Sequence, residues 1–433
     1  MKISPASHVR GTIRLPGDKS ISHRAAMLSA MAVGETRIDN FASAEDCAST
    51  ISCLRSLGVA IERAGNTVVI NGVGKTGFFP PAGPLDCGNS GTTMRLLSGI
   101  VAGQDFPCVL IGDESLQLRP MKRIIGPLNE MGAVITSDDG RAPLNISGKQ
   151  PLNAIEYWPP VASAQIKSCV LLAGLNADGE TTVIETVQTR DHTERMLRWF
   201  GVDVAATETE GGLRITVSGN AVLTSRDLIV PSDISSAAFF MVAAACLRGS
   251  DIVLPNVGFN ASRAAIFDVI GDLGANMQLT GQREVNNEPV ATIRTQGGIS
   301  AAKTPRANLV NGPTVANLVD EVPILAVFGT QIDGGIEIRD AAELRVKESD
   351  RITAIVENLR RMGATVEEFH DGLKVERSDL AGAVIDSFGD HRIAMAFAVA
   401  GLLASGETEI TRAECADISF PGFFDTLASI TDG

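Results

Sequence analysis

IVENLRRMGATVEE, residues 355–368, carries the pattern that decides the fold. Ile355, Val356, Leu359 and Met362 recur at intervals of three and four, so one face of a helix is apolar. Gly363 follows the last turn, where a left-handed residue closes a helix. Strand-type residues come next, then LKVERS (373–378) as a second β segment. The same order stands at TISCLRSLGVAIE (50–62), IIGPLNEMGAVIT (124–136), RMLRWFGVDVA (195–205) and IFDVIGDLGANMQ (266–278). Their closing glycines, Gly58, Gly132, Gly201, Gly274 and Gly363, lie 74, 69, 73 and 89 residues apart. The β runs that follow the first four are VVING, LNISG, LRITVSG and ATIRTQG. GFFDTLASI, from Gly422, starts a weaker sixth copy. The period marks an α/β (α+β) unit of roughly 70 residues repeated about six times, and two domains of three units each is the simplest partition.

At 433 residues, the chain is too long for one ordinary core and fits two domains. RDLIVPSDISSAAFF (226–240) reads as a strand, a turn at Pro231-Ser232-Asp233 and a buried helix, which suits a crossing between domains. A second crossing is expected near Leu15-Pro16-Gly17. Residues 1–16 and 232–433 are therefore assigned to one domain and 17–231 to the other.

Hydrophobic residues make up 44% and charged residues 20%, a globular composition. The net charge of −14 argues against nucleic acid as a partner, and 4% aromatics disfavour base stacking. It leaves room for anionic small molecules, which a local basic cleft can hold. Seven scattered cysteines without a CxxC read as reduced thiols, and five dispersed histidines give no metal site. The first twenty residues lack an apolar signal core, and the longest apolar run, Ala237 to Leu247, is too short for a membrane span. A cytoplasmic protein without a membrane association is expected.

Small polar loops carrying cations repeatedly precede apolar helices. PGDKSISHRA places Lys19, Ser20 and Arg24 at a helix start, where free N–H groups attract phosphate or carboxylate. It is not a P-loop: the only Gly-Lys-Thr, at 74–76, has Val69 where that motif needs Gly. CGNSGTTMR gives a loop whose Gly91 lets backbone approach a ligand, or simply a turn with Thr92 or Thr93 as helix cap. DESLQLRPMKR places Arg119 before Pro120 at a helix start. In SAQIKSCVLLAGL, Ser163, Gln165 and Lys167 lead into an apolar helix, and TRDHTERML sets Arg190 before another. NLVDEVPILAVFG presses Asp320 and Glu321 against an apolar run, as desolvated bases or as helix caps. LRVKESDRITAI carries Lys347, Glu348 and Arg351, and FGDHRIAMAF carries Asp390, His391 and Arg392. Converging helix N-termini with these cations would make an electropositive cleft for two anionic metabolites, with Asp320 and Glu348 for proton transfer.

Taken in order, LPGDKSISHRA, GNSGTTMR, RPM, SAQIKS, TRDHTE, VPSDISSAAFF, DEVPILAV, LRVKESDR and GDHRIAMAF resemble the 5-enolpyruvylshikimate-3-phosphate synthase family, in its SAQ/KESDR bacterial branch, from Leu15 to about Phe424. The resemblance implies the two-domain enolpyruvyl transferase fold, each domain three repeats of a βαβαββ-like unit, with the active site in the interdomain cleft. It implies transfer of the enolpyruvyl group of phosphoenolpyruvate to the 5-hydroxyl of shikimate 3-phosphate, with release of phosphate. It implies no metal or organic cofactor and a monomer. By motif, Lys19, Ser20, Arg24, Ser163, Ala164, Gln165, Arg190, Asp320 and Lys347 contact shikimate 3-phosphate. Lys19, Gly91, Arg119, Gln165, Arg351 and Arg392 contact phosphoenolpyruvate. Asp320 matches the base for the 5-hydroxyl, Glu348 the acid for the methylene carbon, and Lys19 completes the catalytic set. Gly91, where glyphosate-insensitive relatives often carry Ala, implies sensitivity to glyphosate. One departure stands at CADISFPGFF, where Ile418 replaces a Lys that many members have.

Two alternatives differ in testable residues. UDP-N-acetylglucosamine enolpyruvyl transferases share the architecture but usually carry a Cys in the loop before Arg-Pro, where this chain has Ser115. A non-catalytic anion-binding protein would dispense with Asp320, Glu348 or Lys19, and all three are present.

Overall fold

A computed structural model of the chain describes residues 1–304 and 306–431. Two compact units form, each around its own apolar core. One contains Gly17–Val230 with Val285–Glu288; the other contains Met1–Pro16, Pro231–Glu284 and the residues from Pro289 onward.

In the Gly17–Val230 unit six helices run in pairs: α1 (Lys19–Met31) and α2 (Glu45–Ser56), α3 (Gly91–Ala102) and α4 (Lys122–Glu130), α5 (Ala164–Gly174) and α6 (His192–Trp199). The other unit adds α7 (Ile234–Cys246) and α8 (Ala265–Asp272), α9 (Val322–Gly329) and α10 (Arg351–Arg361), α11 (His391–Leu403) and α12 (Phe423–Ile430). Odd-numbered helices are the ones built mainly of small and apolar residues and are buried nearly all round, so they form the centre of each unit; α7, α9 and α11 pack on one another, and α3 packs on both α1 and α5. Even-numbered helices are amphipathic and cover them.

Each helix pair is served by one small sheet. In the first, Val33–Asp39 runs antiparallel to Thr67–Val73, which pairs antiparallel with Ala60–Ala64, while Leu228–Ile229 joins Val33–Asp39 in parallel. The same short-parallel, long-antiparallel order recurs around Pro107–Ile111, Glu180–Glu185, Asp251–Gly258 and Ile336–Ile338. The sixth sheet has three strands: Thr408–Thr411 pairs in parallel with Val384–Asp386 and antiparallel with Lys2–Ile3. Thus the first strand of the chain completes the last repeat.

The glycines end the amphipathic helices through a paired cap. Gly58 N–H donates to Arg55 O and Val59 N–H to Leu54 O; the same two bonds recur at Gly132, Gly201 and Gly363. All five glycines have φ between +85° and +101°, a region that only glycine enters without steric cost.

Candidate active site

Most of the residues singled out above stand at or just before helix N-termini, and they divide between the two units. Lys19, Ser20, Arg24, Gly91, Arg119, Ser163, Ala164, Gln165 and Arg190 fall in the Gly17–Val230 unit. Asp320, Lys347, Glu348, Arg351 and Arg392 fall in the other.

In the first set, Asp18 caps α1 by accepting from Ile21 N–H at 2.8 Å, which leaves Lys19 and Ser20 as the first helical residues. Lys19 Nζ pairs with Asp46 Oδ2 at 2.9 Å. Arg24, one turn on, is buried and donates to Thr193 Oγ1 (2.7 Å), Ser168 Oγ (2.8 Å) and Ser20 O (2.9 Å). Burial pushes its pKa down to about 10, with Glu194 opposing, so it remains charged at neutral pH. Ser90, not Thr92 or Thr93, caps α3, accepting from Thr93 N–H; the Thr93 side chain instead turns inward to bond Ser90 and Thr50. Gly91 therefore opens the helix. A methyl placed on it would stand 3.1 Å from Arg95 Nη1 and 3.4 Å from Arg119 Nη1, so two guanidinium tips converge on this glycine.

Arg119 lies in the link between the short helix Glu114–Leu118 and α4 and not at a helix start, since Pro120 and Met121 intervene before Lys122. Its Nη2 donates to Asn89 Oδ1 at 2.6 Å. Ser163 caps α5 through Ile166 N–H, and Gln165 is held on both sides, accepting from Arg95 Nη1 at 2.5 Å and donating to Thr92 Oγ1 at 2.9 Å. Arg190 precedes α6 and repels Arg24, which sets two cations near each other. Sequence reading assigned Arg95 and Asp46 no role. Arg95 was findable, because it is the one charged residue in α3 and stands four residues after Gly91 on the same face. Asp46 was not, because its pairing with Lys19 depends on how α2 packs on α1.

In the second set, Arg351 is the first residue of α10 and fully buried. Its Nε bonds Asp390 Oδ2 at 2.8 Å, its Nη2 bonds Glu348 Oε2 at 2.6 Å, and its Nη1 stands 3.5 Å from Asp320 Oδ1. Burial works against this charge, but the three carboxylates outweigh it and raise the guanidinium pKa. Asp390 caps α11 through Arg392 N–H and accepts from Ser349 Oγ. Arg392 reaches back to Asp320, its Nη1 3.1 Å from Asp320 O and its Nε 3.7 Å from Oδ1. Glu321 occupies the cap position of α9 but its side chain makes no capping bond, so capping does not account for the acidic pair. Lys347 is partly buried, and burial lowers its ammonium pKa while the charges of Asp320 and Glu348 oppose that shift. Ile418 ends a 3₁₀ segment (Ala413–Ile418) and packs on the apolar core.

The first set presents three helix N-termini with several cations, a cradle suited to phosphates and carboxylates. The second holds two partly exposed carboxylates, Asp320 and Glu348, on one buried guanidinium, a geometry suited to proton transfer. Among the described residues no group of three or more His, Cys, Asp or Glu is arranged to hold a metal ion, and no helix is long and apolar enough to cross a membrane.

Residues 3–427 match the family model described as EPSP synthase (3-phosphoshikimate 1-carboxyvinyltransferase). A 3-phosphoshikimate 1-carboxyvinyltransferase of Solibacter usitatus is 50% identical over all of this chain and 99% of its own, and one of Brevibacillus brevis is 47% identical over the whole of both. The solved structure of EPSP synthase from Acinetobacter baumannii superposes with a TM-score of 0.87 at 42% identity, covering 99% of this chain and 98% of that one.

Proposed function

The chain belongs to the EPSP synthase family, and we propose that Lys19, Asp320 and Glu348 carry its chemistry while the cations of the two sets hold its substrates. The enzyme transfers the enolpyruvyl group of phosphoenolpyruvate to the 5-hydroxyl of shikimate 3-phosphate and releases phosphate. In the addition, the 5-hydroxyl oxygen bonds to C2 of phosphoenolpyruvate, its proton passes to Asp320, and Glu348 protonates the methylene carbon. In the elimination, Glu348, deprotonated by the addition, takes a proton back from the new methyl group, the C=C bond re-forms, and phosphate leaves with the electrons of its C–O bond. The intermediate carries a carboxylate and two phosphates, so several cations have to hold it in a water-poor site.

The observation that carries this reading is the pair Asp320 and Glu348 on the buried Arg351 guanidinium. Arg351 fixes two carboxylates at different places, and opposite proton transfers need two such groups. Shikimate 3-phosphate is assigned to Lys19, Ser20, Arg24, Ser163, Ala164, Gln165, Arg190, Asp320 and Lys347. Phosphoenolpyruvate is assigned to Lys19, Gly91, Arg119, Gln165, Arg351 and Arg392. The assigned residues are drawn from both units. The enzyme is taken to work as a cytoplasmic monomer without nucleic acid.

Phosphate release from phosphoenolpyruvate tests the reading, measured with shikimate 3-phosphate, with UDP-N-acetylglucosamine, and with neither. Release should require shikimate 3-phosphate and fall by roughly 10²–10⁴-fold in Asp320→Asn. Release only with the nucleotide sugar would move the chain to the rival reaction. Full activity in Asp320→Asn would remove that residue as the base.

A further inference from the structure

Lys167 is a charged residue at the heart of the Gly17–Val230 unit, and the substrate assignments above leave it unused. Its side chain is 1% exposed on α5. Nζ lies 2.8 Å from Glu185 Oε2 and 2.7 Å from Glu194 Oε1, both carboxylates equally buried. The three residues come from three different elements: α5, the end of strand Glu180–Glu185, and the first turn of α6. Each leads to a residue assigned to shikimate 3-phosphate. Glu185 accepts from the Thr189 hydroxyl, and Thr189 directly precedes Arg190. Glu194 adjoins Thr193, whose hydroxyl accepts from Arg24 Nε at 2.7 Å and bonds Ser168 Oγ at 2.7 Å. Ser168 also accepts from Arg24 Nη2 and donates to Ala164 O at 2.6 Å, which ties Arg24 to the first turn of α5.

We infer that Lys167 is a positioning residue for shikimate 3-phosphate: by binding Glu185 and Glu194 together it fixes where Arg24 and Arg190 stand relative to Ser163–Gln165. The inference rests on the assignment of those arginines to that substrate. A buried ion triad is a poor source of stability, because the lost hydration of three charges offsets their attraction. Plain apolar packing would serve α5 at least as well, whereas an ammonium between two carboxylates fixes register and keeps both acids engaged. Burial disfavours the Glu194 charge and raises its pKa, and Lys167 is the main group opposing that. With Lys167 gone, the two acids would turn to the nearest remaining cations. Glu194 already attracts Arg24. The cradle would then spend its arginines on internal carboxylates and hold the substrate phosphate poorly.

Steady-state kinetics on full-length variants test this. Lys167→Met should raise KM for shikimate 3-phosphate by about 10–100-fold, with KM for phosphoenolpyruvate changed less than about twofold. Lys167→Met/Glu194→Gln, which removes one of the two stranded charges, should recover most of that loss. Thr189→Val, a substitution at a partly exposed site that removes the hydroxyl bond from the Arg190 loop to Glu185 and leaves only the long Thr189 N–H contact of 3.5 Å to Glu185 Oε2, should raise the same KM by roughly threefold to tenfold. Folded Lys167→Met and Thr189→Val proteins with both KM values unchanged, or raised in equal proportion, would overturn the inference, as would a double variant no better than the single one. If Lys167→Met fails to fold, Thr189→Val decides alone. Arg190→Ala serves as the reference: an unchanged KM there refutes the substrate assignment itself, while a raised KM beside an inert Thr189→Val refutes only the positioning role.

Discussion

Gly91 opens α3 with Arg95 and Arg119 closing over it, and the space of one methyl group separates the two guanidinium tips from the backbone. A Cβ at 3.1 Å from Arg95 Nη1 is tighter than ordinary contact, so that side chain would have to give by a few tenths of an ångström. Gly91→Ala should therefore raise KM for phosphoenolpyruvate modestly and relieve inhibition by glyphosate, measured at low phosphoenolpyruvate. The unsubstituted enzyme should lose activity in millimolar glyphosate; unchanged activity would sink the idea. The sequence marked Gly91 as a position where backbone could approach a ligand, but not the two arginines that stand over it. The three-carboxylate setting of Arg351 was not. Asp320, Glu348 and Asp390 are scattered over 71 positions, and only the packing of α9, α10 and α11 brings them to one guanidinium. Lys167 illustrates the opposite failure: visible as a cation ahead of an apolar run, it proved to lie inside the helix with its charge sealed between two acids.

At the level of elements, the glycine that ends five of the six amphipathic helices was the most readable feature of the chain. Its left-handed backbone conformation penalises every other residue, so glycine is favoured wherever the motif recurs. Two of these glycines separate the backbone cost from the steric one. A methyl on Gly363 meets nothing within 4 Å, so Gly363→Ala should cost only the left-handed conformation, about 1 kcal/mol. On Gly274 the methyl would lie 2.1 Å from Ser300 O, so Gly274→Ala should cost several-fold more. Urea midpoints measured with an unchanged m-value check the order; equal losses would mean that the backbone at Ser300, just past the strand Glu288–Ile299, yields freely. The cap of α3 was misread for a related reason. Ser90, Thr92 and Thr93 are all good caps, and the choice of Ser90 is settled by Thr93 turning inward to the Thr50 hydroxyl, a contact between helices 43 residues apart in sequence.

For the whole molecule, the two cores share no buried apolar residue and differ in their probes. Trp158, Trp199 and the single tyrosine, Tyr157, all lie in the Gly17–Val230 unit. Tryptophan fluorescence therefore reports on that unit, and far-ultraviolet circular dichroism on both. In guanidinium unfolding, Gly274→Ala should lower the dichroism transition and leave the fluorescence midpoint in place. Equal shifts in both signals would instead reveal one cooperative structure. The repeat count predicted this division into triplets of helix pairs, but not that Lys2–Ile3 would complete the sixth sheet beside Thr408–Thr411, because two residues carry no periodicity. That pairing has a consequence for biosynthesis. As the polypeptide leaves the ribosome, nearly all of the Gly17–Val230 unit is available by the time residue 230 emerges. The amino-terminal strand, by contrast, waits with its backbone unpaired through some four hundred further residues of translation. The enzyme is thus made from the inside of its sequence outward, and its earliest residues are among the last to find their place.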